Sequence, residues 1–202
     1  LTTFLSHEDL TQPYSKDFLN KRLLLSGDNL MSLDFMDVVL LDLRALFDVK
    51  ETVNGKVDLQ KSLYFAKELG LSVPFNFRWS KIGPYSYELA NVIDRLVNQG
   101  YLEYRGNYVL VGRSLSRIRV DYPAKLGTFF DTLNDLCREK EYNEVYFIEC
   151  AASLHFIYNY SNIRKKDAVF RTLKELKPER IGYLEPYMED AWNFLVKQGM
   201  IK

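Results

Sequence analysis

The chain has 202 residues, of which 47% are apolar, so it is long enough to bury one sizeable core or two small ones. Its 27 basic and 27 acidic residues cancel, which excludes the strong overall attraction to phosphate that small basic DNA-binding proteins have. No stretch reaches the roughly 20 apolar residues that a spanning helix needs, and residues 1–30 lack the organisation of a signal peptide. We therefore expect a soluble, cytoplasmic protein without a membrane partner.

The first 30 residues are polar and contain only a short helical pattern before a Ser-Gly-Asp-Asn turn. We interpret residues 1–30 as an N-terminal extension or arm. A compact domain is expected to begin at Met31. The two cysteines, Cys137 and Cys150, lie in apolar helical patterns and are expected to be buried free thiols.

Two amphipathic helices are predicted at the start of the compact part. Apolar residues at helical spacing predict the first over residues 32–48. Asp58 is the expected N-cap of the second, and Gly70 its end. In the loop that follows, large aromatic residues alternate with other residues between Phe75 and Trp79, which predicts a short strand or an extended segment over the core.

A third helix and a hairpin complete the N-terminal domain. Ser86 is a good N-cap for a helix that ends at Gly100. Two strand-like runs follow, residues 101–105 and 108–111, joined by an Arg-Gly-Asn turn. Helix, turn, helix and hairpin in this order predict a mainly α-helical fold, a winged helix-turn-helix whose short β-hairpin is the wing, over residues 31–119.

Residues 120–202 are wholly helical in pattern and predict an appended C-terminal helical domain packed on the first. The expected helices cover residues 126–136, 144–158, 166–176 and 187–198. Residues 94–103 and 193–202 resemble each other, since both run from a helix through Gln-Gly into an apolar residue. Two explanations stay open: a common helix-capping pattern, or a second helix-turn-helix layer without a wing.

Several short sequence motifs resemble those of a known family. They are Leu-Gln-Lys-Ser-Leu-Tyr at 59–64, Gly-Pro-Tyr-Ser-Tyr-Glu-Leu at 83–89 and Gly-Tyr-Leu-Glu at 100–103. This part of the chain is similar to the YwgA-like family and, more distantly, to the Panacea domain of SocA-like antitoxins. Glu-Val-Tyr-Phe-Ile-Glu at 144–149 and Leu-Lys-Pro at 176–178 extend the resemblance to residues 33–202. The resemblance implies a non-enzymatic, winged-helix-like module and assigns no catalytic residue.

The chain offers little material for catalysis. Its only histidines are His7 and His155, and His155 lies five residues after Cys150, so the two do not share a helix face. No glycine-rich phosphate loop is present. Glu144 and Glu149 are interpreted as solvated residues of a helix face. We therefore predict that the protein is not an enzyme and has no catalytic, metal-binding or cofactor-binding residues, unless a pocket brings His155, Glu149 and another polar group together.

DNA binding is the alternative function. The third helix is poorly suited to reading DNA bases, because the positive charge of Arg95 is offset by the negative charges of Glu88 and Asp94. The hairpin and the segment after it are richer in positive charge, which favours contact with phosphates. The candidate nucleic-acid-binding residues are Arg78, Lys81, Arg95, Arg105, Arg113, Arg117 and Arg119. This hypothesis describes a transcriptional regulator.

Binding of a protein partner is favoured over DNA binding. Tyrosines cluster around the third helix and the hairpin, and tyrosine with arginine is the composition of interaction hot spots. The candidate partner-binding residues are Tyr85, Tyr87, Tyr101, Tyr104 and Tyr108. We predict a non-catalytic, antitoxin-like regulatory or adaptor protein that binds a protein such as a toxin. The C-terminal helices also offer a surface for a homodimer.

Overall fold

The computed structural model describes residues 34–50 and 53–202, and Phe35–Lys202 form one compact unit. The predicted N-terminal arm, residues 1–30, lies outside the described residues, as does Met31. Within the described part, no helix is both long and apolar enough to cross a bilayer.

The described chain is mainly α-helical and carries two small antiparallel hairpins, which confirms the predicted fold class at this level. The helices are α1 (Phe35–Val49), α2 (Gly55–Glu68), α3 (Tyr87–Asn98), α4 (Ala124–Glu139), α5 (Glu144–Tyr160), α6 (Lys166–Leu176), α7 (Ile181–Leu184) and α8 (Met188–Lys197). The strands are β1 (Arg78–Ser80), β2 (Gly83–Tyr85), β3 (Leu102–Arg105) and β4 (Tyr108–Val111). Short 3-10 turns occupy Leu115–Arg117 and Glu185–Tyr187.

Helix α5 is the centre of the fold. Its residues from Phe147 to His155 are all buried, because the helix carries apolar side chains on all of its faces and packs in the core. It packs against α2, α6, α8 and β2. Both cysteines are buried and free, as predicted. The core is therefore continuous from the second helix to the C-terminal helices.

The helix ends agree with the predicted capping residues, with one exception. The Ser86 hydroxyl accepts a hydrogen bond from the backbone N–H of Leu89 at 3.2 Å, and Gly70 has a φ of +103°, both as predicted. The N-cap predicted at Asp58 is wrong, because α2 already begins at Gly55. Asp58 is buried inside the helix instead, where its carboxylate accepts a hydrogen bond from the backbone N–H of Asn54 at 2.7 Å.

The hairpin predicted after the third helix is present. Leu102 pairs with Val111 and Arg105 with Tyr108 in antiparallel register. Val53, two residues before α2 begins, bridges to the same sheet, since its carbonyl accepts a hydrogen bond from the backbone N–H of Val109 at 2.8 Å. The β1–β2 hairpin was predicted only as one short strand or an extended segment.

The resemblance between residues 94–103 and 193–202 corresponds to the same helix cap formed twice. Gly100 and Gly199 both have a positive φ, at +73° and +68°. In each case the next backbone N–H bonds back to the helix at 3.0 Å, from Tyr101 to Leu96 and from Met200 to Leu195. The first copy continues into β3.

Candidate functional site

A cleft of about 850 Å³ opens between the end of α1, the length of α4 and the start of α5. Polar and charged side chains of both signs line most of it, in contrast to the apolar lining typical of small-molecule pockets. The lining residues are Asp48, Val49, Lys50, Tyr122, Gly127, Asp131, Asn134, Cys137, Arg138, Glu141, Tyr142 and Glu144. The cleft thus brings together carboxylates, cations and two tyrosines from separate parts of the chain.

Lys50 is the fixed cation of this cleft. Its side chain is only 2% exposed, and its ammonium group pairs with Asp58 at 3.1 Å and donates a hydrogen bond to Oε1 of Glu144. Burial lowers the pKa of Lys50, but the two carboxylates more than offset this effect and leave the pKa above its ordinary value. Lys50 therefore stays charged and holds the Glu144 carboxylate in place, so Glu144 is not the freely solvated residue that we predicted.

One side-chain atom and one backbone conformation at the cleft are unusual. The Oδ1 atom of Asn134 is buried without a hydrogen-bond partner, the only such side-chain atom in the described part of the chain. Glu141 has a φ of +53° at the end of α4, in the left-handed conformation where helices usually place a glycine. Strained residues of this kind concentrate at functional sites, which directs attention to the cleft.

Cys137 lines the cleft but is not a nucleophile. Burial raises the pKa of its thiol to about 12, and the nearby Glu144 raises it further than Lys50 lowers it. The group is therefore a neutral thiol at physiological pH.

A second polar cluster lies inside the protein around Glu149 on α5. The Glu149 side chain has 0% exposure, and its Oε1 accepts hydrogen bonds from Lys177 Nζ and Arg180 Nε, both at 2.8 Å. Its Oε2 accepts a further hydrogen bond from Arg180 Nη2 at 2.6 Å. The prediction that Glu149 is solvated is wrong. The signal for burial was present, since apolar residues surround this position on all sides of the helix.

Lys61 of α2 lies beside the Glu149 cluster and is fully buried. Its ammonium group donates a hydrogen bond to the backbone carbonyl of Pro84 at 2.7 Å. Burial, with repulsion from Lys177 and Arg180, lowers the pKa of Lys61 to about 7, although Glu149 opposes the change. Lys61 is therefore protonated in only part of the molecules at neutral pH.

The β1–β2 hairpin lies directly against α5 above this cluster. Gly83 has a φ of +85°, and a Cβ atom at this position would lie 2.4 Å from the Ser153 hydroxyl. Gln60 holds the end of the hairpin, since its side-chain amide bonds both the backbone carbonyl and the backbone N–H of Ser86. The hairpin thus covers the Lys61 and Lys177 side of the cluster, whereas Arg180 on the other side is 31% exposed.

His155 belongs to a third, separate group. Its Nδ1 lies 2.6 Å from the Tyr64 hydroxyl and its Nε2 lies 2.7 Å from the side-chain nitrogen of Asn159. Burial lowers the pKa of His155 to about 4, so the ring is neutral at physiological pH. His155 and Glu149 bind different partners, and neither lines the cleft. In that part of the chain, no cluster of acidic, histidine and cysteine side chains is placed to hold a metal ion.

The tyrosines predicted to bind a partner fall into two groups. Tyr85 ends β2 and Tyr87 begins α3, their ring centroids are 5.1 Å apart, and Tyr87 is well exposed. Tyr104 and Tyr108 are exposed on the β3–β4 hairpin, and Tyr101, just before it, is half-buried. No ring contact among the described residues joins the two groups.

The basic residues predicted to bind nucleic acid are all exposed. Arg78 and Lys81 lie on the β1–β2 hairpin, and Arg95 lies on α3. The others follow one another from the β3–β4 hairpin toward α4, namely Arg105, Arg113, Arg117 and Arg119. This second set leads along the chain toward Tyr122, which lines the cleft.

Comparison with known proteins gives one informative similarity. No family model matches the chain. A DNA ADP-ribosyl glycohydrolase from Thermus aquaticus is 24% identical to it over 174 residues, which cover 81% of this chain and 47% of the relative. The chain therefore spans about half the length of the curated relative that it matches.

This similarity overturns two predictions. We predicted a non-catalytic regulatory or adaptor protein, with a transcriptional regulator as the alternative, and no enzyme activity. The relative is a named glycohydrolase, so the similarity points to an enzyme instead. The sequence has no glycine-rich phosphate loop and no histidine pair that would indicate an enzyme, and it gives no sign that Glu144 and Glu149 pair with buried lysines.

Replacing Glu149 by Gln should strongly destabilise the protein. Gln keeps the size of the side chain but removes the charge that neutralises the fully buried Lys177. We expect the free energy of unfolding in urea at pH 7 to fall by about 3–5 kcal/mol, as when one partner of a buried ion pair is removed. The exposed Glu175→Gln on α6 is the matched control and should change it by less than about 0.5 kcal/mol. Equal stability of the two variants would contradict a structural role for Glu149.

Lys61 should make the stability of the fold depend on pH. Its pKa in the folded state, about 7, lies below the ordinary value of 10.5, so the unfolded chain binds more protons between these values and stability rises with pH. Relative to Lys61→Met, the wild type should gain about 2 kcal/mol between pH 7 and pH 9. Chemical unfolding at a series of pH values measures the difference. The exposed Lys165→Met should show no such trend, and a flat difference for Lys61→Met would refute the lowered pKa.

Proposed function

We propose that this chain acts in the hydrolytic removal of ADP-ribose from DNA, the activity for which its Thermus aquaticus relative is named. The similarity over 81% of the chain is the observation that carries this proposal. The chain spans only 47% of the relative, so it is itself part of the proposal that the activity of the whole relative extends to this chain.

The cleft offers groups that such a reaction needs. Hydrolysis of a glycosidic bond requires a carboxylate that activates water, and the diphosphate of ADP-ribose requires cations. Glu144 and Asp131 supply carboxylates, while Lys50 and Arg138 supply positive charge. The cleft volume of about 850 Å³ lies within the range of small-molecule sites.

Glu144 is the best candidate for the base that activates water. Lys50 holds its Oε1 atom, while Oε2 makes no hydrogen bond to a described residue. In the proposed reaction the water oxygen bonds to the anomeric carbon of the ribose as the bond from that carbon to DNA breaks. Glu144 takes a proton from the water, and the leaving atom on DNA gains a proton from solvent. Lys50 fixes the direction of the carboxylate.

The exposed arginines are the best candidates for contact with the DNA part of the substrate. Arg113 and Arg117 lie on the segment that runs from the β3–β4 hairpin toward the cleft residue Tyr122. Positive side chains on such a path suit a phosphate backbone and carry no sequence preference. This contact serves substrate binding and replaces the regulatory role that we first considered.

We also propose a winged-helix-like arrangement for the N-terminal part. Its support is the order of α1, the Val53 bridge, α2, α3 and the β3–β4 hairpin, with Val53 bonded to the hairpin. The similarity to YwgA-like and Panacea proteins, the domain boundary near residue 119 and the homodimer stay predictions.

Glu144→Gln should abolish most of the hydrolysis. We expect release of ADP-ribose from an ADP-ribosylated oligonucleotide to fall about 100-fold or more, the effect typical of losing a general base. Chromatography of the released ADP-ribose measures the rate. Glu139→Gln, an exposed residue near the end of α4, is the matched control and should keep the wild-type rate. Absence of release by the wild-type chain at stoichiometric concentration would refute the proposed activity.

Arg113→Ala combined with Arg117→Ala should weaken DNA binding. Loss of two phosphate contacts should reduce the slope of log affinity against log salt by about 2. Fluorescence polarisation with an unmodified oligonucleotide across a salt series measures both affinity and slope. The control Arg171→Ala removes an exposed arginine of α6. If the double variant and the control behave alike, these arginines do not contact DNA.

A further inference from the structure

The outer edge of Arg180 is a fixed and accessible cation. Its side chain is 31% exposed, while its Nε and Nη2 atoms donate hydrogen bonds to Glu149 at 2.8 and 2.6 Å. A guanidinium group has further N–H donors beyond these, and Nη1 makes no hydrogen bond among the described residues. The remaining Nη1 and Nη2 donors form a fork of the kind that binds phosphate bidentately.

The buried cluster behind Arg180 makes this fork favourable for an anion. The carboxylate of Glu149 is fully buried and orients the guanidinium, while it also binds Lys177 at 2.8 Å. Two cationic side chains, Lys177 and Arg180, thus meet a single carboxylate. Excess positive charge in a poorly hydrated place attracts an anion from solvent.

A stacked aromatic pair, of which Tyr183 is the exposed member, lies next to the fork. Tyr146 and Tyr183 stack with ring centroids 5.6 Å apart and an interplanar angle of 28°, and Tyr183 is 57% exposed. Tyr146 lies three residues before Glu149 on α5, so the stacked rings and the carboxylate that binds Arg180 lie on the same face of that helix. The hydrogen bond with Glu149 is the main cause that raises the pKa of Arg180, and both tyrosines contribute.

We propose that Arg180, Tyr146 and Tyr183 form a binding site for a nucleoside diphosphate. The exposed face of Tyr183 stacks on the base, and the Arg180 fork binds the diphosphate. Tyr146 also lines a groove of about 440 Å³ between the starts of α2 and α5 and the turn of the β3–β4 hairpin. This groove leaves room for the sugar and for a group attached to the diphosphate. None of the three residues lines the cleft, so this site does not depend on the proposed hydrolysis.

Free ADP and ADP-ribose share the chemistry that this site recognises, and calorimetric titration with each one separates them. We expect ADP to bind, and adenosine, which lacks the diphosphate, to bind at least about tenfold more weakly. Equal affinity for ADP and ADP-ribose places only the base and diphosphate in the site. Tighter binding of ADP-ribose extends the site into the groove lined by Tyr146.

Two variants test the residues. Tyr183→Ala should weaken ADP binding about tenfold, since it removes the stacking face without opening the core. The control Tyr87→Ala removes an exposed tyrosine from α3 and should leave the affinity unchanged. Arg180→Lys should weaken binding by a similar factor because lysine lacks the fork, with thermal unfolding recorded to show that the variant folds. Lack of ADP binding at millimolar concentration, or wild-type affinity in Tyr183→Ala, would overturn the site, whether or not the chain hydrolyses ADP-ribosylated DNA.

Discussion

The buried carboxylate of Glu149 is the interaction on which the arrangement around the central helix depends. It lies on α5, against which α2, α6, α8 and β2 all pack. Isolated charges are very costly to bury, so Lys177 and Arg180 can approach the core only where this carboxylate meets them. The ion pairs therefore fix the turn between α6 and α7 on the same helix that supports the β1–β2 hairpin. A purely apolar contact would allow more ways to pack these elements.

Two buried lysines show how partners, rather than burial, set the charge of a group. Lys50 and Lys61 are about equally hidden from solvent. Lys50 faces two carboxylates and has a raised pKa, whereas Lys61 bonds a neutral carbonyl beside two cations and has a lowered one. The cleft thus holds a permanently charged lysine beside the oriented carboxylate of Glu144, which suits hydrolytic chemistry. The interior cluster holds an excess of positive charge, which suits anion binding at its accessible edge.

Sequence reasoning recovered the elements whose signals are local. Periodicity located α6 at Lys166–Leu176 without error, and the side chain of Ser86 located the start of α3. It missed what depends on contacts between distant residues. The partners of Glu149 lie 28 and 31 residues away, and Lys50 meets Glu144 across 94 residues. Neither the cleft nor the ionic cluster has a spacing that a single sequence displays, which is why the sequence predicts solvated positions for Glu144 and Glu149 although both carboxylates are paired with lysines.

The left-handed residue at the end of α4 has a consequence for how this sequence balances stability against function. Glycine adopts that conformation without steric cost, whereas a glutamate there costs about 1 kcal/mol. Proteins stand only a few kcal/mol above unfolding, and such positions are among the easiest to improve. Glu141 instead keeps a carboxylate at the edge of the cleft. A glycine at this position would make the chain more stable and would remove a negative charge from the edge of the cleft.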